Sequence, residues 1–580
     1  MAERRSGVTR RAVLRGAMGV GAGVAAGALC SPVATANTGP SVAIFGGGVA
    51  GLTAAHELAE RGFAVTVYER RALGGKARSI PFTGTGTGGR PDLPGEHGFR
   101  FFPGFYHHLP DTMRRIPFAG NVNGVWDNLI STPEARFARK DADSTFVPTS
   151  YSDIPWSGPG EFQQTLGSMI ATSAKMPPAD AAYFANRLLV FFTSCDDRRL
   201  GQWEKVAWRD FVGANERSED FRILLSRTLT TMLVAMSDDQ ASTRTIGTMG
   251  EQFLGNPLWQ GNDGPMDRVL NGPTNQAWID PWVDRLRGLG VTFVTAELAG
   301  LDIAGSRISG ARLTDGTPVT ADHYLLAVPA EVARTFWTPE ILSLQPELAN
   351  MSWLNVEWMT GIQFYLNRPA NIARGHTAYV DSPWSLTSIS QNQFWARTEL
   401  PAFGDGTVQD CLSVDISNWN LPGVLYGKPA RDCNHDEIAR EVWEQVKQHL
   451  VGDSRLSDAD LHSWFLDPGV AWDANRSVNT NADPLLVNTV GTWSARPAAH
   501  GAVDNLFLAG DYVQTTIDLA TMEGANESAR AAVNALLDVT GSSAPRCRMF
   551  SLFRSPILEP LRQADIARYA AGQPNQFDTA

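Results

Sequence analysis

The chain has 580 residues, 43% hydrophobic and 19% charged, with 54 Gly and 34 Pro, an ordinary globular composition that excludes a disordered or fibrous protein. Lys+Arg 49 against Asp+Glu 61 gives a formal charge of −12, which argues against general attraction to nucleic acid or an anionic lipid surface. At roughly 100 to 200 residues per domain, the length allows two or three domains or one large composite.

Residues 1–36 have the three-part layout of an export signal. Arg10 and Arg11 precede an apolar run from Ala17 to Leu29, and Ala34, Thr35 and Ala36 supply an A-x-A cleavage site. The run is too short to span a bilayer as a helix. The arginine pair predicts the twin-arginine (Tat) translocase as a partner and an exported location for the mature protein, a route that suits a protein loaded with cofactor before crossing. Of the later cysteines, Cys195, Cys411, Cys433 and Cys547, none forms a C-x-x-C pair, so no zinc or dithiol site is expected. Cys411 and Cys433 remain candidates for a disulfide in an oxidising compartment. The scattered histidines predict no metal centre.

The strongest signal follows at once. Ser41 to Phe45 reads as a buried strand, and Gly46, Gly48 and Gly51 form G-x-G-x-x-G. Leu52 to Arg61 reads as a helix ended by Gly62, and a strand from Phe63 to Tyr68 delivers Glu69. In this dinucleotide-binding unit the first two glycines let backbone approach a pyrophosphate, and the third packs helix on strand. The helix N-terminus faces the phosphate charge, and Glu69 accepts ribose hydroxyls. Gly84, Gly86 and Gly89 match the same expression without a strand before or a helix after. They are expected to form a loop.

Leu73-Gly74-Gly75-Lys76-Ala77 adds a second glycine pair, where backbone again passes close to a bulky group. Far downstream, Asn505 to Ala509 reads as a strand leading to Gly510 and Asp511, and Thr521-Met522-Glu523-Gly524-Ala525 opens a helix running to Leu537. A strand ending in Gly-Asp beside a helix N-terminus offers N–H groups to phosphate and a carboxylate to a polyol. NAD lacks such a chain and FAD has one, so FAD is the expected cofactor. Between these ends, Trp278 to Gly290 reads as a helix and Val291 to Val294 as a strand. Ile303 to Leu313 and Val319 to Leu326 read as two further strands joined at Asp315-Gly316.

These pieces, together with Glu96-His97-Gly98 and the Leu-Ala-Gly-Asp-Tyr ending, resemble the flavin amine oxidase and carotenoid (phytoene) desaturase superfamily. Within it they are most similar to phytoene-desaturase-like and hydroxysqualene-dehydroxylase-like proteins. The resemblance implies an α/β fold: a discontinuous Rossmann-type FAD-binding domain (39–99, 261–330, 491–540) with an interleaved α+β substrate domain (100–260, 331–490) and a C-terminal tail (541–580). It implies that backbone near Glu297 and Leu298 holds adenine and that the segment of His97 and Gly98 runs along the isoalloxazine. The aromatics from Phe99 to Tyr106, with Trp353, Trp358, Phe364 and Tyr365, then favour an apolar tunnel.

His97 and Arg100 are the polar exceptions and the candidate catalytic residues. His97 is either a backbone-bonded structural histidine or a flavin-facing group. Amine oxidases of the superfamily commonly carry a Lys near flavin N5 and Gly-Gly-Arg at the second glycine pair. Here no Lys occurs between Lys205 and Lys428, and the pair reads Gly-Gly-Lys. The expected function is therefore hydride transfer between an apolar, isoprenoid- or carotenoid-like substrate and flavin N5, with oxygen, a quinone or another external acceptor or donor as electron partner. An exported amine or amino-acid oxidase is the alternative, and a non-catalytic flavin-binding escort protein a third reading. The tail from Met549 to Tyr569 either packs on the body or makes peripheral membrane contact.

Overall fold

In the computed structural model, residues 38–140, 142–149, 158–173, 175–255 and 261–579 are described, and the twin-arginine segment lies outside the described residues. Strand β1 (Ser41–Phe45) is apolar almost throughout, as a strand covered on both faces must be. Helix α1 (Val49–Ala59) is buried at every residue, and β2 (Ala64–Glu69) returns parallel to β1 with Ser41 opposite Ala64 and Phe45 opposite Tyr68. The helix starts three residues before the expected Leu52. Gly48 is its N-cap and Gly51 lies inside its first turn, so glycines that read as turn are partly helix.

A short hairpin follows, β3 (Ser79–Phe82) and β4 (Leu93–Glu96), whose connection contains Gly84, Gly86 and Gly89 as loop residues. Helix α2 (His108–Arg114) comes next, then β5 (Glu134–Arg139) and β6 (Ala142–Pro148). Helices α3 (Pro159–Ser173), α4 (Pro178–Phe192) and α5 (Thr243–Gly255) are the longest elements of the next stretch. The expected helix from Trp278 begins with a π-helical turn, Asn275–Ile279, and continues as α6 (Asp280–Gly288) into β7 (Thr292–Thr295).

Here the expectation of one strand over Ile303–Leu313 fails. The chain forms β8 (Leu298–Ala304) and β9 (Arg307–Leu313), an antiparallel pair turned at Gly305, which has φ +61°. Nor do the residues from Val319 to Leu326 form one strand. Pro318–Val319 pairs with β9, whereas β10 (His323–Leu326) joins β1 in parallel. Strands β11 (Thr360–Leu366), β12 (Thr377–Tyr379), β13 (Leu386–Ser390) and β14 (Asp410–Ile416) follow. The chain closes with α7 (His435–Gln448), β15 (Leu461–Leu466), β16 (Leu506–Leu508), α8 (Met522–Val539) and α9 (Glu559–Ala570).

Two sheets organise these elements. One is five-stranded and parallel, in the order β16-β10-β1-β2-β7, with α1 and α8 packed on each other beside it. Its strands come from three separated stretches of chain, which makes the dinucleotide fold discontinuous. The other has seven strands, β15-β11-β14-β13-β12-β5-β6, antiparallel except where β12 meets β5. Glycines join the two: a Cβ on Gly361 in β11 would stand 2.6 Å from the Cα of Gly98, so the chain leaving β4 lies directly against the second sheet.

The four described cysteines are buried and free. Cys411 and Cys433 belong to different core clusters, which corrects the candidate disulfide. The tail packs on the body: Asp565 of α9 pairs with buried Arg198 at 2.9 Å, and Arg562 donates to the Phe192 carbonyl. Among the described residues no helix is long and apolar enough to cross a membrane, and no group of three or more His, Cys, Asp or Glu is placed to hold a metal ion.

Candidate active site

The turn between β1 and α1 forms a cradle that side chains would fill. Gly46 has φ +108°, and a Cβ there would lie 2.3 Å from the Ala327 carbonyl oxygen; one on Gly51 would lie 1.9 Å from the Gly46 oxygen. Gly48 supplies no side chain to cap α1, so the first-turn N–H groups open into the cavity lined by Gly48, Val49 and Ala50. Such a terminus is a site for an anion. Glu69, at the end of β2, accepts from the N–H of Gly47 through Oε2 and from the N–H of Arg71 through Oε1, each at 2.8 Å. Each carboxylate oxygen keeps a second lone pair for a diol.

The second glycine pair meets the first. Gly74 donates to the Gly47 carbonyl at 2.8 Å, and a Cβ on Gly75 would stand 2.9 Å from the Cα of Gly48. Lys76 reaches the Pro484 carbonyl and Arg78 the Gly75 carbonyl at 2.6 Å. Gly510, with φ +135°, brings Asp511 to the same cavity. Met522, the first residue of α8, aims a second helix N-terminus at it, and Leu298 lines its far side. The cavity measures about 710 Å³.

A sequence model of flavin containing amine oxidoreductases matches residues 49–537, most of the chain. The chain belongs to the flavin containing amine oxidoreductase family. It is 22% identical over 516 residues to the 15-cis-phytoene desaturase of Synechococcus elongatus, covering 86% of this chain and 95% of that one. The zeta-carotene desaturase of a Synechocystis species is 23% identical over 529 residues, 86% of this chain and 97% of that one. Among solved structures, the cyclohexylamine oxidase of Brevibacterium oxydans superposes with a TM-score of 0.57 at 13% identity, covering 86% of this chain and 99% of that one.

As a member of this family the protein is an FAD-dependent oxidoreductase, and its cavity fits the group. Two helix N-termini and the touching glycine turns suit a pyrophosphate, Glu69 a ribose, Asp511 a polyol. When bound, FAD supplies a two-electron acceptor at N5; the protein must place substrate against it and manage charge.

Beyond the nucleotide end the cavity is not uniformly apolar. His97 bonds the buried Asp467 carboxylate through Nδ1 and also lines the cavity, so its partner is a side chain, not backbone. Arg100 donates to the Lys76 carbonyl at 3.0 Å and stands 3.5 Å from Glu96. Its Nε and the Glu96 Oε2 are buried without a hydrogen-bond partner. Burial pulls the Arg100 pKa down and pushes that of Glu96 up, each opposed by the other's charge.

Several site residues escaped the sequence reading. Asp415 of β14 is buried and pushed up to about 7 by desolvation, against the opposing charge of Arg100 and a hydrogen bond from the Phe99 N–H. His376 bonds Asp267 through Nδ1 at 2.8 Å and stands 5.0 Å from the Phe99 ring. Both are single polar residues in unrelated stretches of sequence, and Asp415 is one of three polar residues in β14, with Asp410 and Ser413, so no local pattern singled it out. The aromatic expectation splits. Phe99, Phe101 and Tyr106 line the cavity. Trp353 is 62% exposed, Trp358 packs on Trp419, and Phe364 and Tyr365 are buried in two different core clusters, so none of these four contributes to it.

Proposed function

We propose that the protein transfers hydride between an apolar, isoprenoid- or carotenoid-like substrate and FAD in the manner of a desaturase. The observation that carries this reading is the continuation of the cavity into apolar space. A second cavity of about 120 Å³ shares Phe101, Tyr106, Leu233, Phe253, Met359 and Leu485 with the first, giving room for a long hydrocarbon beside the nucleotide site. Among the described residues Lys76 is the one lysine lining the large cavity, and it is engaged by the Pro484 carbonyl, which leaves the amine oxidase pattern without its usual lysine. An external electron partner, oxygen or a quinone, completes the cycle. In this reading the nucleotide is held by Gly46, Gly48, Gly51, Glu69, Gly74, Gly75, Leu298, Gly510, Asp511 and Met522, with Lys76 and Gly98 at the flavin end, while His97 and Arg100 orient the flavin or the substrate end. We propose the corresponding division of the chain into FAD-binding pieces (39–99, 261–330, 491–540) and substrate pieces (100–260, 331–490).

The test fills the apolar lobe. Leu233→Trp should keep bound flavin and abolish its bleaching by isoprenoids; unchanged bleaching contradicts the placement. We propose further that the mature protein is exported by the twin-arginine route, supported by Arg10-Arg11 and the A-x-A site. Replacing both arginines with Lys should hold it in the cytoplasm, and export at the parent's level counts against the route.

A further inference from the structure

The second sheet presents a row of cross-strand partners to the cavity. Phe137 stands opposite Ala378, Ala378 opposite Thr387, Thr387 opposite Asp415, and Asp415 opposite Gly361. Partners across a sheet point to one face with Cβ atoms about 5 Å apart, and Phe137, Ala378, Thr387 and Asp415 all line the cavity. His376 lies two residues before Ala378, hence on the same face, and lines it too. Three atoms of this set, Thr387 Oγ1, Asp415 Oδ1 and His376 Nε2, are buried with no hydrogen-bond partner. Buried polar atoms are almost always paired. Three orphans on one face of one cavity therefore mark a place built for a polar ligand group.

The kind of group follows from the charges. Thr387 can donate or accept, and so can His376 Nε2, according to its tautomer. Asp415 can do either because burial holds it near neutrality. Arg100, which lines the same cavity, acts on Asp415 through its charge, whereas the side chain of Arg136 alternates to the other face of the sheet, where it bonds the Ile372 carbonyl and Ser144. The Arg100 charge disfavours an ammonium, and the Asp267 carboxylate beside His376 disfavours an anion. A neutral group that donates and accepts at once satisfies all three orphans.

We propose that Thr387, Asp415 and His376 form a polar subsite that binds a hydroxyl group on an otherwise apolar substrate, so that the physiological ligand is an isoprenoid alcohol and not a pure hydrocarbon. This rests on the desaturase-like reading above and narrows it.

The test is a binding titration of the FAD-loaded protein with geranylgeraniol, geranylgeranylamine and the hydrocarbon of the same chain, read by tryptophan fluorescence and by the shape of the flavin absorption band. The alcohol should bind about tenfold tighter than the hydrocarbon, the net worth of one well-made hydrogen bond. Thr387→Val and Asp415→Leu should each erase that preference without weakening the hydrocarbon. Asp415→Asn, which keeps hydrogen-bonding capacity and removes the charge, should retain it. Equal binding of alcohol and hydrocarbon overturns the subsite while leaving the isoprenoid reading standing. Tightest binding by the amine, lost in Asp415→Asn, assigns the pole to an ammonium and overturns it as well. Failure of all three probes to bind removes the isoprenoid reading and the subsite together.

Discussion

Single side chains set the chemistry at both ends of the cavity. Glu69 accepts two backbone N–H groups while lining the cavity; in the proposed reading it also holds a ribose, so Glu69→Ala should weaken FAD retention by roughly 1.5 to 3 kcal/mol. Flavin absorbance after dialysis measures this, and retention equal to the parent's in the Glu69→Ala, Asp511→Ala double variant contradicts the assignment. Asp415 makes a pH prediction. Burial holds its pKa at about 7 in the folded protein, above the ordinary aspartate value of 3.8, so between those pH values the folded state binds the extra proton. Stability from this group is therefore full below about pH 4 and falls as pH rises through 7. Arg100 and His376 are the charged or titratable groups that act on it. Asp415→Asn should raise Tm more at pH 8 than at pH 5, and an equal shift at both would show that Asp415 is ionised throughout. The glycine cradle was legible because its parts lie within about thirty residues and each glycine answers a local steric demand. Thr387, His376 and Asp415 were not, because only the register of β12, β13 and β14 brings them together, and no local pattern encodes register.

At the scale of elements, a buried carboxylate joins the start of α8 to the start of α2, beside the Arg530 and Asn526 bonds to Asp111 and Thr112. Glu523 accepts from the N–H groups of His107, His108 and Leu109 and from His108 Nδ1, at 2.7 to 2.9 Å. Burial pushes its pKa up, but these bonds outweigh it and hold the group below its usual value. A depressed carboxyl stabilises the fold above the unfolded pKa and loses that contribution as pH falls through the folded one. Glu523→Ala would strand three buried N–H groups and should cost about 3 to 5 kcal/mol, measurable as a lowered denaturation midpoint. A change below 1 kcal/mol would show that water replaces the carboxylate. In the sequence Glu523 read only as part of a helix start; its partner lies over four hundred residues away. The hairpin of β8 and β9 was misread for a related reason. Its turn rests on Gly305 alone, inside a run whose flanks both suit a strand.

Over the whole molecule, the fold class was legible because one β-α-β glycine unit reads as a dinucleotide-binding motif and the family resemblance implied the rest of the discontinuous sheet. The cavity's polarity was not, since it depends on which faces of two separate sheets meet. That meeting places an FAD site, an apolar lobe and a polar pole in one space. The measurement that tests this most directly is anaerobic mixing of the purified FAD-loaded protein with an isoprenoid panel and an amine and amino-acid panel, following loss of the oxidised flavin band. The account predicts bleaching by isoprenoids, fastest for those bearing a hydroxyl, and none by amines. Rapid bleaching by an amine or amino acid with no response to any isoprenoid would contradict it.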